Sequence, residues 1–290
     1  METSTFVFVN EGANMKTNNF KTYLNVVLYA ACVLSMIGLM ILSSRIVEED
    51  NFSLMIEFLV ITVVTLIFLY LISGKKTFSY MNNQTWYSIK HLLPTLIFST
   101  VFMLFGVLSF LGNRPKLNPD WIKNLILFTI NMFLVGIYEE GCFRACANDA
   151  MLPAFAKLKH PFLLTAFISS VVFGYVHVVR VDFSDLQQVL QFFLKIATTG
   201  LTGAIFLIVY WKTRNLLAIG IVHFLNDWIP GFLYEIFIWE NISDSGSYTT
   251  GNSGTTIIYA VQFVFMLLCL IGVYRKVGKT IDYQKTLEEW

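Results

Sequence analysis

Charge is what this chain most lacks. Asp, Glu, Lys and Arg make up 13% of its 290 residues, roughly half the share found in a soluble domain. That scarcity excludes a soluble enzyme on a single membrane anchor, and it excludes a disordered chain. The few charges nearly cancel, with a net of +1, so nucleic acid is not an expected partner. The four cysteines, Cys32, Cys142, Cys146 and Cys269, lie in or beside apolar runs, and none forms a Cys-x-x-Cys pair. A disulfide framework and a cysteine zinc site are therefore not expected. Also missing are His-Glu-x-x-His, Gly-x-Ser-x-Gly, a Gly-rich phosphate loop, internal repeats and low-complexity segments. Residues 1–19 are mostly polar and lack the order of charged, apolar and small residues that marks a cleaved signal peptide.

What remains is apolar. Hydrophobic residues make up 56% of the chain, and they come in long runs rather than in the short alternating segments of a membrane β-barrel. The runs cover 23–42, 54–73, 92–111, 122–138, 162–179, 186–211, 216–237 and 256–273. Each is close to the ~20 residues that cross a bilayer as a helix. The expected fold is all-α, a polytopic membrane protein of about eight transmembrane helices. Residues 1–19 form a polar N-terminal segment, 20–275 one transmembrane domain, and 276–290 a cytoplasmic tail. The Ser/Thr/Gly/Asn-rich stretch 243–256 reads as a flexible loop.

Lysine and arginine concentrate on the cytoplasmic side of membrane proteins. Lys75, Lys76 and Lys90 flank the second loop, Lys157 and Lys159 the fourth, Lys212 and Arg214 the sixth, and Arg275, Lys276 and Lys279 follow the last run. The first loop sets Glu48, Glu49 and Asp50 against Arg45, and the seventh carries Glu240 and Asp244. Both termini are expected in the cytoplasm and the protein in the cell membrane. The third loop, with Arg114, Lys116 and Lys123, argues the other way.

Ionisable residues inside the runs are the informative ones, because a charge at membrane depth costs several kcal/mol. They fall in three groups: Glu139-Glu140 with Arg144, Phe173 with His177, and His223 with Asn226-Asp227. On a helix Glu140 and Arg144 share a face and can pair. Glu139, rotated by ~100°, faces elsewhere and stays available for chemistry. The alternative is that the two glutamates end the fourth run at the cytoplasmic surface. The apolar character of 141–153 favours a helix that continues and keeps them inside. His223 and Asp227 also share a face, so the carboxylate can orient the imidazole; otherwise Asp227 is a helix-end residue near Trp228 and Pro230. A carboxylate in an apolar site can act as general base on water near neutral pH, and histidines can bind an oxyanion or donate to a leaving amine. Two histidines and a carboxylate could also hold a zinc ion. One geometric difficulty stands. His177 lies ~22 Å beyond residue 162 along its helix, and His223 only ~10 Å beyond residue 216. Their meeting needs tilt, or a fifth helix that starts below the membrane plane with Pro161 as its first residue.

At this point the chain resembles the CPBP group of intramembrane proteases, also called the ABI or type II CAAX-protease-like family. The family's Glu-Glu-x-x-x-Arg is met by Glu139, Glu140 and Arg144, its Phe-x-x-x-His by Phe173 and His177, and its His-x-x-x-Asn/Asp by His223 and Asp227. The likeness covers about 122–230. Ala145 stands where a glycine often follows the arginine, and Asn226 beside Asp227 offers a second candidate for the last polar position. The resemblance implies an intramembrane endopeptidase in which a glutamate activates water, helped by two histidines and an Asn or Asp. The expected catalytic set is Glu139, Glu140, His177, His223 and Asp227, with Arg144, Phe173 and Asn226 as structural members of the motifs. Cofactor use is open between none and a zinc on His177, His223 and Glu139. The partners implied are the lipid bilayer and a peptide or protein substrate, cut near the cytoplasmic side. Two other readings are a non-catalytic bacteriocin self-immunity or scaffold protein, and a proton-coupled transporter, which the lack of inverted repeats ranks last.

Overall fold

A computed structural model describes residues 19–46, 50–80, 84–178, 181–238 and 249–289. The polar segment expected over 1–19 lies outside the described residues apart from its last member, and so do Glu48, Glu49, Glu240, Asp244 and the part 243–248 of the loop 243–256.

The chain is all-α. In order come α1 (Asn19–Ile46), α2 (Asn51–Ser73), α3 (Lys76–Ser79), α4 (Thr85–Asn113) and α5 (Trp121–Glu140). A π-helical turn (Gly141–Cys146) joins α5 to α6 (Ala147–Phe155). Then follow α7 (Pro161–Val176), α8 (Leu186–Thr213), α9 (Leu216–Ile236), α10 (Ser253–Lys276) and the short α11 (Tyr283–Glu289). Polar side chains start four of the long helices. Asp50 accepts from the amides of Phe52 and Ser53, Asp185 from that of Gln187, Asn215 from that of Ala218, and Asn252 from that of Gly254. Each satisfies amides that a first helical turn leaves without partners.

Seven helices are long and apolar enough to cross a membrane, with α5, the π turn and α6 counted as one span of 35 residues. The eighth expected run became α7, whose 16 residues rise ~24 Å, short of a full ~30 Å hydrocarbon layer. The helices alternate in direction. Asn25 on α1 meets the Ile72 carbonyl at the end of α2, Thr77 meets Asp149, and Asn215 meets Thr85. At the opposite end Asn51 meets Glu235, Gln191 meets the Asn252 carbonyl, and Lys116–Leu117 (β1) pairs antiparallel with Phe237–Ile238 (β2).

α5 packs on α9, α9 on α4, α7 on α8, α8 on α10, α2 on α5, and α1 on α2 and α6. The core lies around the π turn, where every residue from Tyr138 to Leu152 is buried. The outward faces of α1, α2, α4, α7 and α10 carry exposed Leu34, Leu59, Phe105, Phe167 and Leu268. An apolar surface that extensive suits acyl chains and not water.

Candidate active site

The helix that begins at Trp121 does not stop at the glutamates. Glu139 and Glu140 close α5, and the π turn carries the chain on into α6, so both carboxylates lie inside the bundle. Asp149, level with the α2–α4 and α8–α9 connections, is ten positions further along the sequence than Glu139, ~15 Å away. The wider π turn displaces backbone hydrogen bonds, and Ser169 on α7 donates to the Phe143 carbonyl within it.

Glu140 and Arg144 form an ion pair, Nε to Oε2 at 3.0 Å, with both side chains out of solvent. Glu140 also has a second partner, because its Oε1 accepts from His223 Nδ1 at 2.6 Å. The group that holds the Nδ1 proton of His223 is therefore Glu140, 83 positions away in sequence. Asp227, expected in that role, lies on the other side of the ring, Oδ2 to Nε2 at 3.4 Å, with 39% of its side chain exposed. The Arg144 guanidinium rests 3.9 Å above the Phe173 ring, and a Cβ on Gly203 would stand 3.1 Å from that ring and 3.4 Å from Arg144 Nη2. A larger residue at Gly203 would crowd the arginine off its ring.

Phe173 serves His177 as well. Its carbonyl accepts from His177 Nδ1 at 2.7 Å, and the two rings meet edge to face at 4.5 Å. A backbone carbonyl can only accept, so Nδ1 of His177 carries the proton and Nε2 is the atom presented to the site. The same holds for His223, whose Nδ1 proton goes to Glu140. Both Nε2 atoms face one oxygen: Glu139 Oε2 lies 3.5 Å from that of His177 and 3.4 Å from that of His223. Glu139 is 8% exposed, and among the described residues its Oε2 has no hydrogen-bond partner. A buried carboxylate oxygen in that position calls for a water or a reacting group.

His177 and His223 reach one level because α7 starts low. Pro161 is in its first turn, and Phe162 packs on Trp211 at the end of α8 and on Tyr283 of α11. Asn226 faces away from the site. It accepts from Ser99 at 3.0 Å and donates to Thr95 at 3.2 Å, both on α4, and so fixes α9 rather than joining the polar rim. The zinc reading asks for His177, His223 and Glu139, but no group of three or more His, Cys, Asp or Glu among the described residues is arranged to hold a metal ion.

The site is closed on one side and open on the other. Residues 139–152 and 205–211 are buried, whereas 224–233 of α9 and 199, 201 and 202 of α8 are partly exposed. The open rim lies toward the α7–α8 connection, away from the end where α1 begins and α10 finishes.

Residues 121–229 match the family model described as Type II CAAX prenyl endopeptidase Rce1-like. No curated protein and no solved structure matches the chain. The matched segment holds all three motifs and ends two residues past Asp227.

Proposed function

We propose that this chain, whose residues 121–229 carry a CAAX-protease-like domain of the Rce1 kind, is an intramembrane endopeptidase in which Glu139 activates the water that attacks a peptide bond. The observation that carries the reading is Glu139 Oε2, buried, without a hydrogen-bond partner among the described residues, and faced by two imidazole nitrogens. A water there would give a proton to Glu139 as it attacks the carbonyl carbon. The proton then passes from Glu139 to the leaving amine, as general acid–base catalysis requires. The oxyanion formed on the way needs a donor. His223 suits that role as an imidazolium, with Glu140 on Nδ1 and Asp227 beside Nε2 to balance its charge. His177, held by a neutral carbonyl, suits the positioning of the water.

Arg144 and Phe173 touch no reacting atom in this scheme and hold Glu140 and His177 in place. The substrate is a membrane-associated peptide or protein that enters from the open rim. In a non-catalytic immunity or scaffold role the same oxygen would only hold the two histidines together. The test is the purified protein in liposomes with a mixture of apolar peptides, the products read by mass spectrometry. New termini should appear with wild type and fall sharply with His223→Ala and His177→Ala. Equal product from wild type and both variants would refute the reading.

A further inference from the structure

Proline lacks the amide that a helix interior uses, so a proline there leaves the carbonyl four residues earlier without its regular donor. Such prolines are Pro94 in α4, Pro153 in α6 and Pro230 in α9. Pro230 is the one that bears on the site. Positions 223, 227 and 230 follow one face of α9, so Pro230 stands in line with His223 and Asp227. The carbonyl it leaves without a donor is that of Asn226, which lies beneath residue 230 and opens on that same face. The helix runs on to Ile236, so the gap is inside it and not at its end. A carbonyl without a donor is costly at membrane depth, where water is scarce.

The α4 hydroxyls that touch residue 226 do not close the gap, because they meet its side chain. Ser99 donates to Oδ1 at 3.0 Å, and Thr95 accepts from Nδ2 at 3.2 Å. Thr95 gives its own proton to the Leu92 carbonyl at 2.7 Å. Both hydroxyl protons are thus used elsewhere, and the Asn226 amide, held against α4, does not fold back on its own carbonyl. Residues 227 and 230 are partly exposed, so this face is open to the rim. From His223 to Asn226 the helix rises ~5 Å. An extended chain presents N–H groups to one side at every second residue, ~6.8 Å apart. A peptide whose scissile bond lies between Glu139 and His223 therefore brings an N–H to this carbonyl within about two residues of that bond. Main-chain hydrogen bonds of this kind give affinity for an extended peptide whatever its side chains.

We propose that the Asn226 carbonyl, freed by Pro230, is a substrate-positioning acceptor that takes a main-chain N–H of the bound peptide. The inference rests on the endopeptidase reading, and its test reads binding rather than turnover. Glu139→Gln protein in lipid nanodiscs, with Pro230 or with Pro230→Ala, would be titrated with a fluorescent apolar peptide and with its single-ester analogues. Each analogue replaces one N–H by oxygen. The cut that wild type makes in the parent peptide, mapped by mass spectrometry, numbers the positions. With Pro230 present, one analogue within about two residues of the cut should bind about fivefold weaker than the parent, as one net hydrogen bond provides. Pro230→Ala returns an N–H to the helix. That variant should melt no lower than the protein with Pro230, bind the parent about fivefold weaker, and bind the one sensitive analogue as before. A merely structural proline would not produce a loss confined to one ester. Equal affinity for the parent and every analogue, no binding of any peptide, or the same single-position loss in Pro230→Ala would overturn the proposal. A single-position loss that Pro230→Ala removes, in a protein whose wild type cuts none of these peptides, would keep the carbonyl as a peptide-binding group and refute the endopeptidase reading.

Discussion

Glu139 and Glu140 are chemically identical neighbours, and one step of helix rotation gives them different company. Glu140 takes an arginine and a histidine; Glu139 faces the Nε2 atoms of two histidines. The Glu140–Arg144 pair was legible in the sequence because both residues sit on one helix and spacing alone brings them together. The contact of Glu140 with His223 was not, because it depends on how α5 crosses α9. Removing one member of a buried ion pair costs about 3–5 kcal/mol. Arg144→Ala, which leaves Glu140 without its cation, should therefore lower the melting temperature in detergent and the amount of folded protein; unchanged melting would mean that the pair does not support the fold. The two carboxylates at His223 can be ranked as well. Glu140→Gln should alter the histidine's NMR titration and reduce cleavage more than Asp227→Asn does, since Glu140 holds the ring at 2.6 Å and Asp227 lies at 3.4 Å, partly in solvent. A larger effect from Asp227→Asn would return the orienting role to that residue.

At the scale of elements, glycine sets the crossing that the site needs. A Cβ on Gly136 of α5 would collide with the Gly220 carbonyl of α9, and one on Gly220 would stand 2.9 Å from Ile137. Small residues at such a contact let two membrane helices approach backbone to backbone. Here that approach brings Glu140 within reach of His223. Gly136→Val should destabilise the fold by about 1–3 kcal/mol and also abolish cleavage, because α9 would be pushed outward. A variant that melts normally and keeps full activity would show that the crossing has slack. The sequence reading treated Arg214 as a loop charge. It is instead 6% exposed and paired with Asp149 at 3.0 Å, while Thr77 and Asn148 also donate to that carboxylate. A residue just past a helix end reads as a loop residue in sequence, and only the fold of α6 beneath it reveals its partner. The π turn was equally hidden, since nothing in Gly141–Cys146 distinguishes it from ordinary apolar helix.

For the whole molecule, the long apolar runs announced a helical fold, and seven helices among the described residues are long and apolar enough to cross a membrane. What the runs could not give is the side from which the site is reached. That side depends on which helix halves are covered, and α9 is covered mainly in its first half, up to His223, with 224–233 partly exposed. Residues of the α7–α8 connection and of the C-terminal segment should therefore label from opposite faces. In sealed vesicles, a membrane-impermeant thiol reagent should modify Leu186→Cys from one side and Lys276→Cys from the other, both side chains being exposed. Labelling of both from one side would contradict the alternation of helices. The central claim is that Glu139 is the base of a proteolytic site, and it is tested most directly by comparing the peptides in membranes of cells that express wild type with those expressing Glu139→Gln. The substitution keeps size and hydrogen bonding and removes the base, so products present with wild type should fall by about 10²–10⁴-fold while the purified variant melts as wild type does. The same peptides at the same abundance in both would contradict the account.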